Sequence, residues 1–133
     1  MPRLAPALAL IAATLAAPVL AKPPEGVWQN PKGNVRVQFR DCGGRDTICG
    51  RVVWANADAQ AKAGQRLVGT DLFQGFVPSG RDLWAGSVLI PDIGQSVSGT
   101  ITRTGLKTLV GEGCLFAGYG CKQQVWTQVS RAK

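Results

Sequence analysis

The chain contains no histidine. That absence excludes His-based general acid/base chemistry, histidine-containing triads and the commonest ligand of catalytic zinc or non-haem iron. Ser96 and Ser98 lie in Gly94-Gln95-Ser96-Val97-Ser98-Gly99, which is not a Gly-x-Ser-x-Gly elbow, and with no imidazole to activate them they read as the polar face of a strand. Asp58, Asp71, Asp82 and Asp92 fall in expected loops or at strand edges, where single aspartates ordinarily stabilise turns and do not form a glycosidase-like pair. Gly111-x-Gly113, followed by Gly118 and Gly120, lacks the strand-to-helix context of a phosphate cradle and reads as loop glycine. No alternation of basic and aromatic residues offers a stacking platform for nucleic acid. At 133 residues there is room for one domain and none for a separate cofactor module. The expectation is a non-enzymatic domain with no cofactor and no metal.

Residues 1–21 read as a cleaved secretory signal. Arg3 supplies a short positive start, Leu4 to Ala17 is rich in Ala, Leu and Ile, and Val19-Leu20-Ala21 places small residues where a signal peptidase reads them. Cleavage is expected after Ala21, leaving residues 22–133 as the folded domain, periplasmic or secreted. As a membrane anchor the run is too short, and Pro6 and Pro18 interrupt it, so no membrane-spanning segment is expected. No cysteine stands directly after it, as a lipoprotein would need.

Arg3 is the only charge in that segment, so the formal net charge of +7 becomes +6 over residues 22–133. All 17 glycines lie in the same stretch. They make up about 15% of it against a usual ~7%, which points to many short strands joined by tight turns. The four cysteines also fall there and read as disulfides of an oxidising compartment. Cys42 and Cys49, and likewise Cys114 and Cys121, have six residues between them. Zinc ligand pairs are usually separated by two to four residues, so a four-thiolate site is the weaker alternative.

Val35 to Arg40 alternates without a fault and places Val35, Val37 and Phe39 on a core face. In Ile48 to Trp54 the alternation puts Ile48, Val52 and Trp54 on one face and Cys49 and Arg51 on the other, after a Gly43-Gly44 turn. Cys42 and Cys49 then share the outer face of one hairpin, which favours a bond between them. Parity is less clear for Cys114 and Cys121, whose pairing rests on proximity. Residues 55–66 are expected to be a loop or a short helix at one end of the sheet. Further strands are expected at 67–77, 82–90, 96–103, 107–114 and 122–130. With Gly26 to Gln29 the total is about eight, the pattern of a sandwich or a barrel.

Gly26-x-Trp28, Cys49-Gly50-Arg51-Val52-Val53-Trp54, Trp84-x-Gly86, Pro91-Asp92-x-Gly94 and Gln124-x-Trp126-Thr127 together resemble the bacterial secreted family called domain of unknown function 2147. The resemblance implies a lipocalin-like fold, a single small antiparallel up-and-down β-barrel, and implies no activity. The chain departs from the family pattern at Asp58 to Ala63, at Ser96-Val97 and at Gln128. The last removes the basic residue that would stack on a barrel-closing Trp28.

Such a barrel is just wide enough to hold one small ligand or to be filled by its own side chains. The expected function is binding of a small apolar or amphiphilic molecule in the cell envelope. Phe73 and Phe76, in a Gly/Pro-bounded stretch, are expected at the barrel mouth, with Trp54 and Trp84 as further ligand contacts. The alternative is a protein-interaction module with a closed core. Arg36, Arg40, Arg45 and Arg51 on the first hairpin would then meet an anionic envelope component or an acidic protein.

Overall fold

The computed structural model describes residues 2, 5–7, 9, 22–116 and 119–131. The expected signal segment lies outside them apart from isolated positions, as does Gly118. Among the described residues eight strands form: β1 (Val27–Gln29), β2 (Val35–Asp41), β3 (Ile48–Ala55), β4 (Asp71–Gly80), β5 (Leu83–Ile90), β6 (Gln95–Gly105), β7 (Thr108–Phe116) and β8 (Tyr119–Ser130). Each pairs antiparallel with the next, and β8 pairs with β1, closing an up-and-down barrel. Closure leaves no unpaired sheet edge.

One helix, α1 (Ala57–Ala63), stands between β3 and β4, where a loop or short helix was expected. Asn56 caps it by accepting from the Ala59 N–H at 2.8 Å, and Gly64 ends it in the left-handed conformation at φ 66°. The strand expected from Leu67 begins only at Asp71. Residues 67–70 form a turn instead, in which the Thr70 N–H donates to the Leu67 carbonyl and the Gly69 N–H to the Val52 carbonyl. This turn carries the Leu67 side chain into the core.

Alternation predicts the inner face well where the ladder is regular. Trp28, Val37, Ile48, Val52, Phe76, Trp84, Ile101 and Leu109 are the largest fully buried side chains. It fails at Trp54. Arg36 pairs with Trp54 but Val37 pairs with Val52, so Val53 is an extra residue in β3. Such a bulge turns every following side chain to the other face. Trp54 is accordingly 38% exposed on the outside, with the Arg36 guanidinium 4.6 Å from its ring centroid.

At the end of the barrel away from α1, residues 22–25 are tied across the strands, and Pro23 with Asp41, Arg45, Pro78 and Trp84 lines a second cavity of about 340 Å³. The Glu25 carbonyl accepts from Trp28 Nε1 at 2.9 Å and from Gln128 Nε2 at 2.8 Å, and the Lys22 carbonyl accepts from Arg103 at 2.6 Å. Gln128 thus ties the N-terminal segment down. The stacked arginine lies over another ring: the Arg103 guanidinium is 5.2 Å from the Trp84 ring centroid and 3.6 Å from the Asp82 carboxylate.

Candidate functional site: an apolar cup at the helix end

The inner face of β7 runs Leu109, Gly111, Gly113, so this wall loses its side chains toward the α1 end. Inward glycines elsewhere are filled by neighbours. A Cβ built at Gly50 would lie 2.6 Å from Phe73 Cδ2, at Gly86 2.8 Å from Phe76 Cδ2, and at Gly99 2.5 Å from Val88 Cγ2. At Gly111 the nearest atoms are Phe73 Cε1 at 3.6 Å and Trp126 Nε1 at 3.7 Å, ordinary contact distances. A Cβ would thus fit at Gly111, at Gly113 it would press on Val97 Cγ2 at 3.2 Å, and a cavity of about 370 Å³ opens beside them. Its size falls near the lower end of the roughly 300–1,000 Å³ typical of small-molecule sites. Gly111 and Gly113 are strand residues, which corrects the loop reading given to them.

The cup has an apolar floor and wall of Val35, Leu72, Phe73, Val88, Val97 and Trp126. Ala59 of α1 and Leu67, both buried, cover one side. The β1–β2 turn forms another part of the mouth and is locked by Asn30, whose Oδ1 accepts from the Asn34 N–H at 3.0 Å and the Val35 N–H at 3.1 Å. The Asn56 N–H donates to the Asn34 carbonyl at 3.0 Å and joins this turn to the start of α1.

Polar groups ring the mouth. Lys122 and Gln124 of β8 are register partners of Gly113 and Gly111. Directly opposed residues point to the same face, so both side chains start on the inner wall, and both line the cup. Lys32, Lys62, Asp92 and Glu112 complete the charged lining. Lys122 and Gln124 were not singled out from the sequence. Their signal was the spacing Lys122-x-Gln124-x-Trp126, two polar residues on the parity of a core tryptophan.

Of the expected ligand contacts, Phe73 alone lines the cup. It is 4% exposed and touches Phe39, Phe76 and Trp126 with ring centroids 5.5, 5.8 and 5.3 Å away. Phe76, expected at the mouth, is 0% exposed and belongs to the core. A bulge explains the difference: Ile48 pairs with Phe76 but Gly50 with Phe73, so β4 carries an extra residue at Gln74-Gly75 and both rings turn inward. Trp84 is buried at the opposite end, where it lines the second cavity, and Trp54 is outside. The structure brings none of these three to the cup.

The remaining candidates are engaged elsewhere. Asp58 pairs with Lys62 at 3.7 Å, Asp71 with Arg51 at 3.4 Å and Asp82 with Arg103 at 3.6 Å. Ser96 and Ser98 are exposed, and Ser96 Oγ bonds Gln74 Oε1 at 3.1 Å. Arg36 donates to Gln29 Oε1 at 2.9 Å, so with Arg51 paired, two of the four first-hairpin arginines are committed within the chain. Cys42 is bonded to Cys49 and Cys114 to Cys121, with Cα separations of 5.7 and 4.0 Å. Cys114 and Cys121 are direct register partners across β7 and β8. Among the described residues the one cluster with metal-type side chains is Glu112, Cys114 and Cys121, and its two sulfurs are in that bond and offer no thiolate.

A closed eight-stranded antiparallel barrel with an apolar cup at one end has the architecture of a lipocalin-like protein. The chain belongs to the family described as "Uncharacterized protein conserved in bacteria (DUF2147)", whose model matches residues 26–128. No curated protein and no solved structure gives a significant match. Two disulfides fit a non-reducing, extracytoplasmic environment. No helix among the described residues is long and apolar enough to cross a membrane.

Proposed function

We propose that the protein is exported by cleavage after Ala21 and holds a small apolar or amphiphilic molecule in the cup, without acting on it. One observation carries this reading: a cavity of about 370 Å³ with an apolar floor, lined by Gly111 and Gly113, where an added Cβ would meet no backbone atom closer than 4.0 Å, while at Gly86 and Gly99 it would stand 2.8 Å from a backbone oxygen. A barrel needing only stability would gain from a side chain at Gly111, since an unfilled interior forfeits dispersion contacts. The small molecule would lose apolar surface to Phe73 and Trp126 and keep a polar end among the mouth residues. Native mass spectrometry of protein recovered from its own periplasm tests both parts. The expected species begins at Lys22 and carries a small additional mass that is released on unfolding. A species retaining residues 1–21 would refute the export step, and a bare chain that also fails to take up any amphiphile would refute the binding function.

A further inference from the structure

Resting on that binding function, we propose that the cup selects an anionic single-chain amphiphile, its tail on Phe73 and Trp126 and its acidic head at Lys122. The volume, about 370 Å³, suits one chain and is small for two, given that drug-sized molecules already occupy sites up to roughly 1,000 Å³.

Charge decides the head. Among the described residues Lys122 is the one cation rooted on the inner wall of the barrel, opposite Gly113, and its side chain is exposed at the mouth of the cup. Its methylene stem can lie along the apolar wall while the ammonium stays at the mouth. Lys32 on the β1–β2 turn and Lys62 on α1 reach the same opening from two other elements. The acids there are less well placed to cancel them. Glu112 borders the cup, but it sits between the inward Gly111 and Gly113, so its side chain starts from the outer face, and its Oε2 accepts from Gln123 Nε2 at 2.6 Å. Asp58 engages only Lys62, at 3.7 Å. Asp92 is exposed on the β5–β6 turn. Among the described residues neither Lys32 nor Lys122 is in an ion pair. An anionic head supplies the partner that Lys122 lacks, while a cationic head would meet like charge at the mouth and be rejected.

The test compares three probes with the same tail, dodecanoate, dodecanol and dodecyltrimethylammonium, titrated calorimetrically below their aggregation concentrations into the disulfide-bonded protein. Dodecanoate is expected to bind tightest and dodecyltrimethylammonium weakest. Added salt should shrink the gap, because the head-group pair is partly solvated. Lys122→Gln should weaken dodecanoate about fivefold, the upper end of what an exposed ion pair contributes, and leave dodecanol within about twofold. Arg40→Gln, on the outer face, controls for net charge and should change neither. Equal affinity for all three probes, or an equal loss of dodecanoate and dodecanol in Lys122→Gln, would overturn the anion selectivity while the cup as a binding site stood. Failure of every probe to bind would overturn both.

Discussion

Phe73 and Trp126 meet edge to face across the barrel, ring centroids 5.3 Å apart and planes at 74°, and this pair is the floor of the cup. The T-shaped contact sets the positive ring edge against the negative face and is worth about 0.5–1.5 kcal/mol beyond area burial. It also divides the interior. Below it Phe76, Trp84, Ile101 and Leu109 are buried in the core; above it the inward positions with which β7 lines the cup are Gly111 and Gly113.

Phe73→Ala should therefore destabilise by about 3–5 kcal/mol, as expected when a packed aromatic is removed, and should also change amphiphile affinity, because the floor falls away. Phe76→Ala should cost about as much stability and leave affinity nearer to wild type, since Phe76 is 0% exposed and does not line the cup. Urea melts paired with dodecanoate titrations separate the two effects. A Phe73→Ala loss under about 1 kcal/mol would mean that the ring packs against nothing rigid.

The glycines make a sharper contrast. A Cβ at Gly111 finds only ordinary contacts, the nearest at 3.6 Å, whereas a Cβ at Gly86 would stand 2.8 Å from the Gln74 carbonyl oxygen and 2.9 Å from Phe76 Cα. Gly111→Ala should stabilise by about 0.4–1 kcal/mol through the lost freedom of the unfolded chain. It should also weaken probe binding by taking up space in the cup. Gly86→Ala must move backbone and should destabilise by about 1–3 kcal/mol. If Gly86→Ala were the better tolerated of the two in thermal unfolding, the division into packed and unpacked halves would be wrong.

How far the sequence could be read depended on ladder regularity. Val35, Val37, Ile48 and Val52 took the expected face because a period of two survives wherever pairing is uninterrupted. Trp54 did not, and Phe76, expected at the mouth, lies in the core, because single extra residues at Val53 and in Gln74-Gly75 leave no mark in composition or alternation. The cup was illegible for a different reason. It is made by what Gly111 and Gly113 omit, and the roles of Lys122 and Gln124 depend on being opposite those glycines, a register that only the closed barrel fixes. Glycine-rich loops and glycine-lined walls have the same composition.

The disulfide at the cup end offers a test of how far its two rear strands hold the mouth in place. Cys114 and Cys121 are seven residues apart in sequence and directly opposed across β7 and β8, next to Gly113 and Lys122. Closing so short a loop should contribute about 2 kcal/mol in the chain-entropy picture. Replacing both by Ser should lower the urea midpoint accordingly and weaken dodecanoate binding more than the equivalent change at Cys42 and Cys49, which lies at the opposite end of the barrel. Equal effects of the two double substitutions on binding would show that β7 and β8 keep their places without the bridge.

Trp54 and Trp28 test the bulge itself. Alternation would bury both, but Val53 turns Trp54 out to 38% exposure under Arg36, while Trp28 stays at 2% with its Nε1 bonded to the Glu25 carbonyl. Trp54→Ala should lose a half-exposed cation–π contact and some outer-face packing, about 1 kcal/mol in all. Trp28→Ala should cost about 3–5 kcal/mol, because it empties a buried ring site and strips the donor that helps hold residues 22–25 over the end of the barrel. A second readout separates the sites without relying on stability. Acrylamide should quench the fluorescence of the wild-type protein and of Trp28→Ala through the exposed indole of Trp54, and the accessible fraction should disappear in Trp54→Ala. Persistence of that fraction in Trp54→Ala, or losses of stability equal in the two variants, would place Trp54 inside the barrel and remove the bulge from β3.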